Sequence, residues 1–279
     1  MDIIRAYASN NLCYIAAKKM TPKGIVVHST GANNPMLKRY VNAPDEVGVN
    51  LRKNYWDIPK PEGKNMCVHA FIGYDRNNQV RVAEILPLDI CCWGVGKGKK
   101  GSYNSNPAYI QFEICEDNLH DIIYYEKAFG VAAEYCAYLC NRFKLAVDSI
   151  VSHKEAHEMG YGSNHRDPDH WMKNFGETMD DFRRKVSCII NNDGSICSDK
   201  ENADTSRKIH DGDLASIADN AIYYNGKAVP DWVKSLRWYV MGNQNGDRAV
   251  IDINESHTKS IKSPISVKYL TAEKQGIKK

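Results

Sequence analysis

The sequence of 279 residues lacks several patterns that would assign it to a protein class at once. Its formal net charge is only +3, which indicates no strongly anionic partner and argues against nucleic-acid binding. No run of about 18 apolar residues occurs, so we predict no transmembrane helix and no stable membrane insertion. The N-terminal segment has no apolar stretch behind a basic flank, so we expect no secretory signal and synthesis in the cytoplasm.

Cysteine pairs with metal-site spacing are also missing. None of the nine cysteines forms a Cys-x-x-Cys pair, which argues against a zinc finger held by cysteines. Scattered cysteines in odd number are typical of reduced, buried thiols. With 43% hydrophobic and 25% charged residues, the chain is expected to fold as a globular protein.

The hydrophobic pattern predicts an α/β fold for most of the chain. Short apolar runs bounded by turn residues predict strands over Lys23–Gly31 and Ala108–Asp117, and residues 65–87 predict two strands around a polar turn. Apolar residues at helical spacing predict a long amphipathic helix over residues 121–145 and a second helix over Met179–Val186. We therefore expect a mixed β-sheet flanked by helices.

The composition changes near residue 190. Residues 190–212 are rich in Asn, Asp, Ser and Gly, which is typical of a linker. Beyond them, five β-rich runs are separated by turn signals such as Asn225-Gly226 and predict a small all-β barrel. We therefore predict a first domain over 1–189, the linker over 190–212 and a second domain over 213–279.

Histidine is scarce but concentrated. Four of the nine histidines stand between Ser152 and Trp171, namely His153, His157, His165 and His170. A catalytic zinc takes three protein ligands and leaves one position open, and His153 and Asp167 can supply two of them. His157 and His165 remain alternatives to Asp167. The H-E-x-x-H pattern of zinc proteases is not present, because the glutamate stands at 155.

Two further side chains occupy unusual positions in predicted strands. His28 closes the apolar strand "VVHS", a common place for a functional side chain at the rim of a sheet. Glu113 alternates with large apolar residues in "IQFEI", where an unused charge would be costly. Glu113 is therefore the candidate general base beside a metal.

The glycine-rich loop after Trp93 formally matches a dinucleotide fingerprint at Gly96, Gly98 and Gly101. Turn residues and a strand follow it instead of a helix, so the required context is missing. We interpret it as a loop that lines a binding groove, with Trp93 at its mouth either stacking on a sugar ring or capping the core.

Four pieces, taken in order, resemble a known family: "GIVVHSTG", "WGVGKGKKGSYNSNPAYIQFEIC", "AVDSIVSHKE" and "SNHRDPDHW". The family is the zinc-dependent N-acetylmuramoyl-L-alanine amidases of type 2, a fold shared with peptidoglycan recognition proteins and many bacteriophage endolysins. The resemblance covers roughly residues 20–186. It implies that His28, His153 and Asp167 bind Zn²⁺, although the gap between the last two is longer than the family's common spacing.

The resemblance also implies roles for other residues. Glu113 would be the catalytic acid–base, alone, because Val68 stands where some members have a tyrosine. His165 would stabilise the oxyanion, with Asp169 holding its pKa near or above neutral. Ser29, Thr30 and Trp93 are expected to contact substrate. His69 and His170 are expected to be structural, satisfied by hydrogen bonds.

The implied function is that of an endolysin. It would hydrolyse the amide between N-acetylmuramic acid and L-alanine in bacterial peptidoglycan, after release from the host cytoplasm by a separate membrane-permeabilising protein. The aromatic-rich C-terminal part resembles bacterial SH3-like cell-wall-binding modules. Two alternatives are a peptidoglycan-recognition module without activity and a zinc peptidase that cuts within the stem peptide. The oligomeric state, the target bacterium and the ligand of the C-terminal part are left open by the sequence.

Overall fold

A computed structural model describes residues 2–191, 209, 212–244, 248–253 and 260–272. The chain divides into two compact units, one made of residues 1–119 and 124–198 and the other of residues 120–123 and 199–279. Of the predicted linker, residues 192–208, 210 and 211 lie outside the described part. The exact domain limits at 189 and 213 therefore stay predictions.

The first unit contains a six-stranded mixed sheet with the order β1-β4-β3-β5-β2-β6. β2 pairs in parallel with β5 and β6, whereas β3 and β4 form an antiparallel hairpin. The predicted strands are confirmed as β2 to β5. β1 and β6 were not predicted, because each has only three residues and a pattern that short is not informative. The strands are β1 Ile3–Arg5, β2 Ile25–Ser29, β3 Ala70–Tyr74, β4 Val80–Glu84, β5 Ile110–Ile114 and β6 Ile150–Ser152.

Helices surround this sheet. The long predicted helix is α3, and the second predicted helix is α6, which runs beyond its predicted end because the buried Cys188 continues its apolar stripe. None of the described helices has the length and apolar character needed to cross a membrane. The helices are α1 Leu12–Ala16, α2 Pro44–Val47, α3 Ile122–Phe143, α4 His153–Met159, α5 Asp169–Met172 and α6 Met179–Asn191, with 3₁₀ turns at Leu37–Arg39, Pro61–Gly63, Val147–Ser149 and Lys173–Phe175.

Both faces of the sheet are covered. On one face, Phe112 of β5 meets Tyr135 of α3 edge-on, with ring centroids 5.5 Å apart. On the other face, the Phe71 ring stacks on Tyr40 at 4.8 Å and meets Trp56 edge-on at 4.9 Å. The mixed sheet flanked by helices is thus confirmed. The eight cysteines in the described residues are buried free thiols, as the composition predicted.

The second unit contains a five-stranded antiparallel sheet with the order β10-β9-β8-β7-β11. The predicted strand "NAIYY" is wrong, because Ile222 and Tyr223 form only isolated bridges around the Asn225-Gly226 turn. The predicted run "PISVKYL" is divided by a 3₁₀ turn at Val267–Tyr269. The elements are β7 Leu214–Ile217, α7 Asp231–Lys234, β8 Trp238–Gln244, β9 Arg248–Asp252, β10 Ser260–Ser266 and β11 Leu270–Ala272.

Candidate metal centre

The strand register brings the candidate residues to one edge of the six-stranded sheet. His28 pairs with Glu113 across β2 and β5. Val27 pairs with Ser152, the last residue of β6, so His153 follows at the level of His28. In open α/β sheets, the crevice outside the carboxyl ends of the parallel strands is the usual ligand site.

A capping box fixes the backbone of His153. Ser152 Oγ accepts a hydrogen bond from Glu155 N at 3.0 Å, and the Glu155 carboxylate accepts one from Ser152 N at 3.0 Å. Arg183 of α6 binds both carboxylate oxygens of Glu155 at 2.9 Å. The helix that begins at His153 ends at Gly160, whose φ of 90° lies in the left-handed region. Glu155 is thus a structural residue, and the sharp start of α4 orients His153.

Three side chains converge at this edge: His28, His153 and Asp167, whose ligand atoms all lie within 4.8 Å of one another. His28 Nδ1 is 3.0 Å from His153 Nδ1 and 3.2 Å from Asp167 Oδ2. His153 Nδ1 is 3.4 Å from Asp167 Oδ1. Both imidazoles are buried. Two ring nitrogens and a carboxylate this close together form a donor set that fits a divalent zinc ion.

The backbone holds the Asp167 loop against β2 and α4. His153 N donates a hydrogen bond to Asp167 O at 3.1 Å, and Ser29 N donates one to Asp167 Oδ2 at 3.4 Å. Although burial opposes ionisation, the adjacent imidazoles of His153 and His28 lower the pKa of Asp167. The carboxylate is therefore charged, as metal binding requires.

The alternative third ligands are placed differently. His157 Nδ1 faces Gly162 O at 3.2 Å, and His157 is not part of the converging group. The His165 ring lies 4.4 Å from the His153 ring, but its Nδ1 faces Ser163 Oγ at 3.0 Å. Within the described residues, Asp167 is the side chain that joins His28 and His153.

A chain of hydrogen bonds determines which nitrogen of His28 carries hydrogen. Gly94 N and Val95 N both donate to Asn104 Oδ1 at 3.1 Å, and Gln111 Nε2 donates to the same oxygen at 3.0 Å. Gln111 therefore presents its oxygen to His28 Nε2, 3.2 Å away. Because that oxygen can only accept, Nε2 carries the hydrogen and Nδ1 keeps its lone pair for a metal.

Ser163 has the corresponding role beside His153. Its Oγ lies 3.1 Å from His153 Nε2 and can accept that hydrogen. The hydroxyl hydrogen of Ser163 has two acceptors of its own, Val95 O at 3.1 Å and His165 Nδ1 at 3.0 Å. Both imidazoles of the candidate metal centre are thus oriented by further hydrogen bonds, which is common around metal sites.

Glu113 combines burial with an unused oxygen. Its Oε2 is buried and has no hydrogen-bond partner in the described structure. Burial, followed by the charges of Asp167 and Glu116, raises the pKa of Glu113 well above its usual range. A bound divalent cation would oppose that shift. A carboxylate in this position can exchange protons with a reacting group.

The expected effect of Asp169 on His165 is wrong. Burial, followed by the neighbouring His153, lowers the pKa of His165. Asp169 instead lies 3.6 Å from Lys154 Nζ. His165 is therefore a neutral ring, and a neutral imidazole can still donate from one nitrogen. When Ser163 donates to Nδ1, the Nε2–H of His165 is the donor that remains.

The three residues expected to contact substrate have different surroundings. Ser29 Oγ donates to Glu116 Oε1 at 2.5 Å, and Thr30 Oγ1 accepts from Glu116 N at 3.1 Å. Trp93 is half-buried and packs against the core under the sheet. Ser29 and Thr30 thus connect the ends of β2 and β5, and substrate contact by any of the three stays a prediction.

Gln111, Asn104 and Ser163 were missed by the sequence reasoning. Gln111 did leave a signal, because it stands two residues before Glu113 and shares its face of β5. Asn104 and Ser163 lie in loops, where no periodic pattern reveals which side chains meet.

More than half of the chain matches a known protein family. A family model described as N-acetylmuramoyl-L-alanine amidase matches residues 18–170. Among solved structures, the hydrolase AmiA of Staphylococcus aureus, in complex with its ligand, is 22% identical, covers 70% of this chain and 88% of its own, and has a TM-score of 0.49.

Two further solved structures are similar over about two thirds of this chain. PlyL is 18% identical, covers 67% of this chain and 97% of its own, and has a TM-score of 0.48. A mutant endolysin from Bacillus subtilis is 22% identical over 67% of this chain and 99% of its own, with a TM-score of 0.44. No curated protein matches this chain.

Proposed function

The chain belongs to the N-acetylmuramoyl-L-alanine amidase family, and from this premise we propose that it is a zinc-dependent peptidoglycan amidase. The substrate is the amide bond that joins N-acetylmuramic acid to the L-alanine of the stem peptide. The metal ligands are His28, His153 and Asp167, and the catalytic residues are Glu113 and His165.

One observation supports this proposal above the others. Three ligand atoms of His28, His153 and Asp167 meet at the carboxyl end of β2, and the partnerless carboxylate oxygen of Glu113 lies on the paired strand. The Nδ1 atoms of two buried histidines face each other and the Asp167 carboxylate, which is the donor set expected of a metal site. A zinc ion satisfies all three ligands together.

Zinc, when bound, would supply a Lewis acid that polarises the amide carbonyl and makes water more acidic. Glu113 takes the proton of the attacking water on its free oxygen and delivers it to the leaving nitrogen of L-alanine. Burial raises the pKa of Glu113 and a bound cation would lower it, and these opposing effects suit a group that both takes and releases a proton. His165 donates from Nε2 to the oxygen on which negative charge develops, and Ser163 holds the ring through Nδ1.

The proposal is tested by zinc content and product chemistry together. Purified protein is expected to bind one zinc per chain, and Asp167→Ala is expected to lose it. Digestion of purified cell walls should release free amino groups, and mass spectrometry should place the new amine on L-alanine. New termini within the stem peptide would mean a peptidase. Zinc binding without any product would mean a recognition module.

The remaining parts of the proposal concern the whole chain. The five-stranded second unit is proposed as an SH3-like module that binds the cell wall, and the exposed Trp232 on its α7 helix offers an aromatic surface for that contact. Action as a bacteriophage endolysin, released from the host cytoplasm, completes the proposal. Binding of the isolated residues 213–279 to purified walls tests the first point, and lysis of cells from within on co-expression with a membrane-permeabilising protein tests the second.

A further inference from the structure

A cleft of about 620 Å³ lies beside the candidate metal centre in the first unit. The loop Lys97–Lys100 forms one wall, and the segments His157–Gly160 and Gly162–Asn164 form the other. We call it the lysine cleft, because three of the four residues in that loop are lysines: Lys97, Lys99 and Lys100. The proposed reaction uses Ser163 of this lining and assigns no role to the three lysines.

The loop that carries the lysines is held in place by its backbone. Lys100 N donates to Gly160 O at 2.8 Å, and Gly98 N donates to Gly101 O at 2.8 Å. A Cβ at position 98 would lie 2.3 Å from Gly160 O, so only glycine permits this approach. The lysine side chains therefore extend from a fixed base.

The cleft has an excess of positive charge. All three lysines are exposed, and no carboxylate among the described residues forms an ion pair with them. Glu158 is the acidic residue of the lining, and its Oε1 lies 3.6 Å from Lys154 Nζ, which already offsets its charge. Since the whole chain carries only +3, three lysines within four positions form a local concentration of charge.

The cleft reaches the reactive centre. Ser163 belongs to its lining, and Ser163 Oγ contacts His153 Nε2 at 3.1 Å and His165 Nδ1 at 3.0 Å. One side chain thus separates the lysine cleft from a proposed metal ligand. An extended peptide spans about 3.4 Å per residue, so a stem peptide cleaved at its first amide can extend several residues into the cleft.

We propose that the lysine cleft binds the free carboxylates of the stem peptide, on the alanine side of the amide that is cleaved. This inference rests on the proposed function, because it presumes a peptide substrate at the metal centre. The lysines are specificity-determining residues: they favour anionic stem peptides over peptides whose carboxylates are amidated.

The experiment crosses the charge of the enzyme with the charge of the substrate. Wild type and the triple variant Lys97→Gln, Lys99→Gln, Lys100→Gln are assayed on one soluble muropeptide with free carboxylates and on the same muropeptide with amidated carboxylates. Exposed ion pairs change affinity by up to about fivefold each, so the triple variant should lose about tenfold in kcat/KM on the free acid, through KM. Turnover of the amidated substrate and the zinc content should not change.

Two controls support the interpretation. Lys127→Gln removes an exposed charge on α3 and should act like wild type on both substrates. The loss in the triple variant should shrink as salt rises from about 0.05 to 0.5 M, because exposed charges are screened. An equal loss on both substrates, or no loss on either, would overturn the proposal.

Two further experiments complete the test. One distinguishes a carboxylate ligand from a phosphate ligand, and the other tests the lysine cleft even if the proposed amidase activity is wrong. Cell walls with and without their phosphate polymers are compared, and a loss confined to phosphate-bearing walls would assign the cleft to phosphates and overturn the carboxylate proposal. If wild type cleaves neither muropeptide, the proposed function has failed. In that case, direct binding of the free stem tetrapeptide to wild type and triple variant still tests the cleft: weaker binding by the variant supports it and equal binding contradicts it.

Discussion

Two buried histidines, His69 beside β3 and His28 in β2, lie on either side of β5 and show what distinguishes a structural histidine from a candidate metal ligand. His69 precedes β3, and both its nitrogens are used within the fold: Nε2 lies 2.9 Å from Ile90 O and Nδ1 lies 3.0 Å from Gln111 N. His28 stands one residue before the end of β2, and its Nε2 faces the side-chain oxygen of Gln111 at 3.2 Å. Its Nδ1 faces two other potential metal ligands.

Burial is nearly the same in the two cases, so burial alone does not make a site. What differs is the partner of Nδ1, which is a backbone N–H for His69 and two potential metal ligands for His28. Gln111 serves both histidines, with its backbone N–H toward His69 and its side chain toward His28. Single substitutions can test these two roles of Gln111 separately.

The largest expected effect on turnover comes from replacing Glu113, which pairs with His28 across β5 and β2. Glu113→Gln keeps the shape of the side chain but cannot accept a proton, so turnover should fall about 10²- to 10⁴-fold. Zinc content should stay as in wild type, because Glu113 is not among the three converging ligands. The exposed Glu46→Gln is the matched control. Activity within a few-fold of wild type would remove Glu113 from the mechanism.

The second-largest expected effect is on zinc affinity and comes from replacing Gln111, whose side chain contacts His28 and whose backbone contacts His69. Gln111→Leu removes the side-chain acceptor of His28 but keeps the backbone donor of His69. Zinc affinity, measured by competition with a chelator, should fall about 10- to 100-fold, as is usual when such supporting bonds are lost. Gln111→Glu keeps an acceptor and should bind zinc much more tightly than Gln111→Leu. Equal affinities for the two variants would contradict the hydrogen-bond chain.

The structural histidine predicts a pH dependence. Burial lowers the pKa of His69 from 6.5 to about 4 and outweighs the hydrogen bonds to Ile90 and Gln111, which act in the opposite direction. Because the folded pKa lies below the unfolded one, this contribution to stability is present above pH 6.5 and is lost as pH falls toward 4. The free energy of unfolding should drop by about 2 kcal/mol more in wild type than in His69→Gln between pH 7 and pH 5. Urea unfolding at both pH values measures the difference, and parallel curves would disprove it.

The smallest expected effect on zinc affinity comes from replacing Asn104, which contacts Gln111 rather than a candidate metal ligand. Asn104→Ala removes the oxygen that fixes the orientation of the Gln111 amide. Zinc affinity should fall about fivefold, which corresponds to one neutral hydrogen bond of about 1 kcal/mol. Asn77→Ala, in the exposed turn between β3 and β4, is the control and should bind zinc as wild type does. A loss as large as that of Gln111→Leu would mean that the loop itself collapses.

The sequence predicted the positions of the candidate site better than their connections. His28 and Glu113 were noticed because a polar residue interrupts an apolar strand, and the alternation of β5 sets the face on which Glu113 points. The strand next to His153 was too short to predict, so the level of His153 relative to His28 required the register.

Contacts between loops could not be predicted at all. Asp169 stands two residues from Asp167, and proximity along the chain suggested that it would face His165. The short helix α5 turns it toward Lys154 instead. In the second unit, the run "NAIYY" has strand propensity, but the turn at Asn225-Gly226 limits it to isolated bridges.

The ion pair between Arg183 and Glu155 indicates how long a truncated protein must be to keep His153 in position. The matched family region ends at residue 170, yet α6 begins at Met179 and supplies the guanidinium that braces the start of α4. A fragment cut at the family boundary would still contain every proposed ligand. It would lack Arg183, which stabilises the start of α4 and thereby the position of His153. A truncated protein should therefore end after α6 and not at residue 170.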